Sequence, residues 1–227
     1  MTTHRFLATA VLLIALAIAP PAFAAKTHTT NYAYRVTKAQ GTETATFQGD
    51  GTQNCASAGL CGYSGTVTYT FANPRGGFAI VTVQTRGHRH AGFGDLEFGA
   101  DGTTTSNVTE AGVAQPCTDT VKHRGDTLDV FVSGSRVGFG LHAFNADTLS
   151  ADYLGTHCAG PTEEDMVAAH VLPAVGIPLS VMKRKRIDFG LHTNLPFHSG
   201  PFQGTLKVDA DYTLVRDRKA ERRLNKG

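Results

Sequence analysis

The clearest strand pattern of the chain is TLKVDADYTLV, residues 205–215. Its apolar side chains occupy every second position, at Leu206, Val208, Ala210, Tyr212 and Leu214. Successive side chains of a β-strand point to opposite faces of the sheet, so this alternation is typical of a strand with one buried and one solvated face. The same period recurs in NYAYRVT (31–37), GTVTYTF (65–71), TLDVFVS (127–133) and RVGFGLHAF (136–144). The pattern predicts strands along most of the chain.

Turn-forming residues separate these runs at short intervals. They occur in GDG (49–51), NPRGG (73–77), DG (101–102), RGD (124–126) and SGSR (133–136). Many short strands with such spacing indicate an all-β fold, and we expect an antiparallel β-sandwich of about 8–10 strands. One short helix is expected in GPTEEDMVAAHVLP (160–173), where Thr162 would cap the N-terminus and Pro173 would end the helix.

The N-terminus has the three parts of a secretory signal peptide. Arg5 is followed by an apolar run, residues 6–18, and then by the small-residue sequence AFA at 22–24. The apolar run is shorter than the ~20 residues that a membrane-spanning helix needs. We therefore expect a signal peptide at 1–24, a single β-sandwich domain at 25–215 and a basic flexible tail at 216–227. The mature chain is expected to have no transmembrane segment and to be secreted, extracellular or at the cell envelope.

Basic residues are concentrated towards the end of the chain. Residues 183–227 hold 11 basic and 5 acidic residues, although the formal net charge of the whole chain is only +2. One cluster is KRKR, formed by Lys183, Arg184, Lys185 and Arg186, and it contains no interleaved aromatic residues for base stacking. Nucleic acid is therefore not the expected partner. A solvated turn is the simpler interpretation, and contact with an anionic envelope polymer is the alternative.

The four cysteines are expected to form two disulfides, because an exported chain meets an oxidising compartment and their number is even. Cys55 and Cys61 are close neighbours separated by small residues, which favours pairing Cys55 with Cys61 and Cys117 with Cys158. A metal site made of the four thiols is the alternative, but the spacing is wider than that of a usual zinc knuckle.

The stretch GHRHAGFGDLEFGADG (87–102) is the strongest candidate for metal chemistry. If His88 and His90 lay on one strand they would point the same way, and Asp95 could add an oxygen ligand. The stretch is similar to the His-x-His motifs of cupins and of copper/zinc superoxide dismutases, but the later histidines of both families do not follow at the required spacing. The other interpretation is a strand end with exposed histidines, bent by nearby glycines.

Other reaction types have less support in the sequence. We find no Gly-x-Ser-x-Gly elbow, no glycine-rich phosphate loop and no evident pair of catalytic carboxylates. The residues therefore favour a protein without a cofactor and leave enzymatic activity open, with a non-enzymatic protein favoured over an enzyme.

Three segments near the C-terminus carry a family resemblance. HCAGPTEEDM (157–166), KRKR (183–186) and FHSGPFQGTLKVDADYTLVR (197–216) together resemble uncharacterised secreted β-rich proteins of high-GC Gram-positive bacteria. The resemblance implies an exported β-protein and no particular activity. The expected function is that of a secreted non-enzymatic β-sandwich protein with a binding or scaffolding role at the cell envelope. The alternative is a secreted metal-binding protein or metal-dependent enzyme that uses His88 and His90.

Overall fold

A computed structural model describes residues 26–49, 64–110, 113–141, 174–199 and 202–226. They form eight strands, one 3₁₀ helix and one α-helix. The strands are β1 (Thr27–Gly49), β2 (Ser64–Arg86), β3 (Arg89–Glu110), β4 (Val113–Ser133), β5 (Arg136–Leu141), β6 (Ala174–Pro178), β7 (Arg186–Ser199) and β8 (Phe202–Arg216). The 3₁₀ helix is Leu179–Lys183 and the α-helix, α1, is Arg218–Leu224. No helix among these residues is long and apolar enough to cross a membrane.

All eight strands belong to one antiparallel sheet, with the order β6-β5-β4-β3-β2-β1-β8-β7. Each strand pairs with a strand next to it in the chain, except that β8 also pairs with β1. The two edge strands, β6 and β7, are consecutive in the chain and are joined by the 3₁₀ helix. The all-β antiparallel class expected from the alternating pattern is confirmed.

The sheet curls until its two ends meet across the core. The ring of Phe139 on β5 stacks on that of Phe189 on β7, with 4.2 Å between the ring centroids, although these strands lie near opposite edges. The ring of Phe189 stacks in turn on Tyr212 of β8, at 5.0 Å. The described strands are therefore nearly barrel-shaped, where the sequence led us to expect the two sheets of a sandwich. The reason is that a long twisted sheet can cover its apolar face by curling on itself as well as by packing on a second sheet.

Threonines dominate part of the outer face. Thr42, Thr70, Thr103 and Thr120 lie directly opposite one another on β1 to β4, and Thr44, Thr68, Thr105 and Thr118 form the next row. Hydroxyl contacts of 3.3 Å, between Thr44 and Thr68, and 3.4 Å, between Thr103 and Thr120, join some of these pairs. Cross-strand threonine pairs of this kind stabilise a sheet on its solvated side.

Three of the expected turns interrupt strands instead of ending them, and one of these is RGD (124–126), which pairs with β3 inside β4. The sequence NPRGG (73–77) lies inside β2, where the register shifts on both sides of Arg75. Asn73 and Gly76 there have φ angles of 58° and 69°. The register of β3 also shifts just before Gly102. Residues that tolerate positive φ suit bulges as well as turns, which is why the sequence did not distinguish the two. The expected turn at 133–136 is confirmed, because Gly134 and Ser135 connect β4 to β5.

The helix of the described chain lies in the segment expected to be a flexible tail. Oδ1 of Asp217 accepts hydrogen bonds from the backbone N–H groups of Lys219 and Ala220, both at 3.0 Å, and so caps α1. The side chain of Asn225 accepts a hydrogen bond from the backbone N–H of Asn31 at 2.9 Å and donates one to its carbonyl at 2.8 Å. These two bonds attach the C-terminus of α1 to β1. The tail is thus anchored to the sheet. The helix expected at 160–173 lies outside the described residues.

Candidate functional site

Several chain segments meet at one end of the sheet. The register places Thr27 opposite Arg86, Arg136 opposite Pro178, and Arg186 opposite Val215. The start of β1, the turns after β2 and β4, the link between β6 and β7 and the start of α1 therefore lie at the same end. We refer to it as the helix end.

The link between β6 and β7 crosses the helix end and is held from three sides. Tyr34 on β1 is buried, and its hydroxyl donates a 2.5 Å hydrogen bond to the carbonyl of Met182. Arg216 donates to the carbonyl of Lys183 at 2.7 Å, and the N–H of Leu179 donates to the carbonyl of Ser135, also at 2.7 Å. Burial raises the pKa of Tyr34 well above its usual range, so the phenol remains a donor at physiological pH. These three hydrogen bonds therefore hold the link in one position, where it can form a wall of a pocket.

A pocket of about 600 Å³ lies between this link and the ends of β1, β2 and β3. Its volume is within the ~300–1,000 Å³ range of small-ligand sites. The lining combines hydroxyl groups, an imidazole, an ammonium group and a few apolar side chains: Thr30, Tyr32, Val83, Thr85, His90, Ser135, Pro178, Leu179, Ser180 and Lys183. Such a lining can bind a ligand that carries both hydroxyl groups and a negative charge.

His90 and Tyr32 are the two ring-bearing polar residues of the pocket. Nδ1 of His90 lies 2.9 Å from Oγ1 of Thr85, a hydrogen bond that orients the imidazole. The guanidinium of Arg216 lies over the ring of Tyr32, 5.4 Å from its centroid. Burial raises the pKa of Tyr32, and the positive charge of Arg216 opposes this shift. The pocket thus contains both a neutral phenol and an oriented imidazole.

The structure brings only one of the three expected metal ligands to this pocket. His90 lies on β3 and lines it, whereas His88 occupies the turn with Gly87, whose φ of 59° is typical of a tight hairpin. Asp95 is five positions from His90 along β3, an odd offset, so its exposed side chain lies on the outer face. Within the described ranges, no group of three or more His, Cys, Asp and Glu side chains is placed to hold a metal ion. The strand geometry that would have paired the two histidines is interrupted by the turn.

The basic cluster divides into residues with different roles. Lys183 lines the pocket, and Arg184 and Lys185 are exposed beside it. Arg186 instead donates two hydrogen bonds of 2.8 Å to Asp188, whose Oδ1 also accepts from Thr213 at 2.6 Å. The hydrogen bonds from Arg186 lower the pKa of Asp188 to about 2. Among the residues that the structure describes, Lys183, Arg184 and Lys185 form no such ion pair, and all three are exposed at this end of the molecule.

The cysteine pairing stays a prediction. Cys117 lies on β4 directly opposite Ser106 of β3. Cys55, Cys61 and Cys158 lie outside the described residues.

Most residues of the pocket could not be identified from the sequence. His90 and Lys183 were singled out there, but on separate grounds and as parts of separate candidate sites. The hydroxyl-bearing residues Thr30, Ser135 and Ser180 carry no signal, because single threonines and serines are common on exposed strands and turns.

Comparison with known proteins finds no family model, no curated protein and no solved structure that matches the chain. The class defined by the fold and the pocket is therefore that of an all-β protein with a polar, cation-bearing pocket at one end of a curled sheet.

Proposed function

We propose that this chain is an exported, non-enzymatic binding protein of the cell envelope, and that the pocket at the helix end receives one unit of an anionic, hydroxyl-rich polymer. One observation carries the proposal. The two features that the sequence singled out independently, the histidine stretch at 87–102 and the basic cluster at 183–186, contribute His90 and Lys183 to the same hydroxyl-lined pocket.

The lining suits an acidic sugar better than a neutral one. The ammonium group of Lys183 donates only, so it favours a carboxylate or phosphate on the ligand. Hydroxyl side chains such as Ser135 and Ser180 can donate to or accept from the hydroxyl groups of a sugar ring. Val83 and Leu179 add apolar surface for the ring carbons.

A polymer is favoured over a single sugar because cations continue beyond the pocket. Arg184 and Lys185 follow Lys183 in the chain and are exposed at the same end. They can attract charged units on either side of the one that is bound, and such contacts weaken as added salt screens them. The signal peptide expected at 1–24 supports a role outside the cytoplasm, where envelope polymers are found.

The test is the binding of oligosaccharides of equal length and different charge, measured by isothermal titration calorimetry. We expect a uronic acid oligosaccharide to bind and its neutral counterpart to bind at least about tenfold more weakly, a difference of about 1.4 kcal/mol. A polyphosphate of similar length distinguishes carboxylate from phosphate as the recognised group.

The matched variants are Lys183→Gln, which removes the charge in the pocket, and Lys207→Gln, which removes an exposed charge on β8. The first should weaken the binding of the acidic oligosaccharide, and the second should leave it unchanged. Equal loss in the two variants would show that binding depends on overall charge and not on the pocket. Equal affinity for the neutral and the acidic oligosaccharide would reject the proposed ligand class.

A further inference from the structure

The outer face of β2, β3 and β4 carries a patch of aromatic and acidic side chains, distinct from the pocket. Its aromatic members, Phe78, Phe93 and Phe131, have exposed fractions of 45%, 68% and 48%. Phe93 lies directly opposite Phe131. The acidic members are Asp95, Glu97 and Asp129. We refer to these six residues as the aromatic–acidic patch.

Two features of the patch favour a partner surface that is both basic and partly apolar. Phe93 and Phe131 lie opposite each other at the surface, and large apolar side chains in such a position lose the free energy that burial would provide. Asp95 and Glu97 are exposed on the same face of β3 and can face opposite charges on a partner.

A glycine on the neighbouring strand makes room for one ring of the patch. A side chain at Gly138 of β5 would overlap the ring of Phe131, so that ring lies flat over the neighbouring strand. Gly138 is buried beneath it, while the ring itself stays half exposed. The patch therefore presents a flat aromatic surface. Cations bind favourably over the face of such a ring.

The chain itself carries a surface with the complementary properties. The C-terminal helix and the residues after it expose five cations and one leucine: Arg218, Lys219, Arg222, Arg223, Lys226 and Leu224. The exposed fraction of Leu224 is 39%. Arginines and apolar residues together are typical of surfaces that bind aromatic and acidic ones.

The two surfaces lie on the same side of the molecule. Asn31, which binds the C-terminus of α1 through Asn225, lies opposite Thr82 of β2, and Thr82 lies opposite Phe93 of β3. Thr82 also donates a 2.8 Å hydrogen bond to Asn31. A two-fold axis between two molecules can therefore place each helix on the patch of the other, and both contacts then form in one closed dimer.

We infer that the aromatic–acidic patch is a docking surface for a second copy of this chain, which covers it with helix α1. The dimer is held by arginine–carboxylate contacts around stacked aromatic and aliphatic side chains. Charge complementarity makes it dependent on ionic strength.

The experiment is sedimentation velocity of the mature chain between about 1 and 100 µM, because dimerisation depends on protomer concentration. We expect dimers at about 0.1 M salt and fewer at about 1 M, where the Debye length falls from about 10 Å to about 3 Å. Two charge-reversal variants, Asp95→Lys with Glu97→Lys and Arg222→Glu with Arg223→Glu, should each weaken dimerisation at least about tenfold. Circular dichroism melting checks that both remain folded.

Mixing the two variants gives the sharpest result. In a two-fold dimer that contains one copy of each, both contacts again join opposite charges, so the mixture should dimerise although neither variant does so alone. The controls are Lys207→Glu, a charge reversal on β8, and Val113→Ser, at an apolar residue that is 62% exposed outside the patch. Both should dimerise like the unchanged chain. A monomer at 100 µM in low salt would overturn the inference, and so would a dimer unaffected by either reversal.

Discussion

Arg216 and Glu221 form a bidentate ion pair, with Nε to Oε2 at 2.6 Å and Nη2 to Oε1 at 2.5 Å. Arg216 is the last residue of β8, and Glu221 lies in α1, so the pair joins the helix to the sheet. Their side chains are only 10% and 16% exposed. Two parallel charge-assisted hydrogen bonds shielded from water are the strongest kind of ion pair that a protein makes. The same guanidinium also packs on Tyr32 and so fixes one wall of the pocket.

Replacing Glu221 by glutamine should therefore destabilise the protein. The change weakens the hydrogen bonds of the largely buried guanidinium of Arg216, and we expect the free energy of unfolding to fall by about 1–3 kcal/mol. Urea denaturation measures this. Arg218→Gln is the control, because Arg218 is exposed, and it should change stability by less than about 0.5 kcal/mol. Similar small effects of both variants would mean that the ion pair does not hold α1 against the sheet.

Tyr34→Phe should cost stability and loosen the wall of the pocket. The variant deletes the donor to the carbonyl of Met182 and leaves that acceptor without its partner in a buried site. The expected loss is about 1–3 kcal/mol in the free energy of unfolding. Amide hydrogen exchange should also become faster in the link at 179–185. Unchanged exchange there would contradict the idea that Tyr34 anchors the link.

Phe189→Ala should be among the most destabilising substitutions of the sheet. The ring of Phe189 is 7% exposed and lies between Phe139 and Tyr212, so its removal opens a cavity where the two sides of the curled sheet meet. A loss of about 3 kcal/mol or more in the free energy of unfolding is expected. Val113→Ala, at an exposed apolar position, provides the comparison and should have little effect.

The stabilising effect of Asp188 should persist to unusually low pH. Its pKa in the folded protein, about 2, is lower than the ordinary value, so the ionised carboxylate favours the folded state. The contribution is complete above the unfolded-state pKa of about 3.9 and is lost as the pH falls through the folded-state value. The difference in unfolding free energy between the unchanged chain and Asp188→Asn should be constant above about pH 5, should fall progressively below that pH and should be largely lost by about pH 2. Denaturation series at fixed pH values measure it, and a constant difference down to pH 2 would contradict the ion pair.

The cysteines should pair as Cys55 with Cys61 and Cys117 with Cys158. In the chain-entropy model the short loop contributes ~2 kcal/mol and the long one ~4 kcal/mol. Cys117→Ser should therefore destabilise the protein more than Cys61→Ser. Peptide mapping without reduction identifies the pairs. Four free thiols would contradict both the pairing and the oxidising compartment behind it.

Much of the strand pattern follows from local chemistry. Leu206, Val208, Ala210, Tyr212 and Leu214, the alternate apolar residues of the opening stretch, are all buried, each at 2% exposure or less. The alternation succeeds because the side-chain period of a strand is a property of the backbone and does not depend on the partner strand. Strand lengths were predicted less well, since the glycines and asparagines inside β2 and β3 accommodate bulges that resemble turns in the sequence.

The C-terminal tail shows what amino-acid composition could not predict. Its basic composition suggested a solvated segment, whereas Asp217 caps a helix and Asn225 binds the backbone of Asn31, 194 positions away. The contact that anchors the helix depends on where β1 lies. Composition reports the cost of ordering a segment, not the contacts that compensate for it.

Local alternation was sufficient to predict the buried face of the strands that carry it and the all-β antiparallel class of the chain. The tertiary structure alone decided that the strands form one curled sheet, because alternation specifies the buried face and not the surface that covers it. It also decided the pocket. His90 and Lys183 line the same pocket only because β1 pairs with β8 and the link from β6 to β7 then crosses the helix end. Their shared position depends on closure and register across the described sheet, which no local pattern encodes.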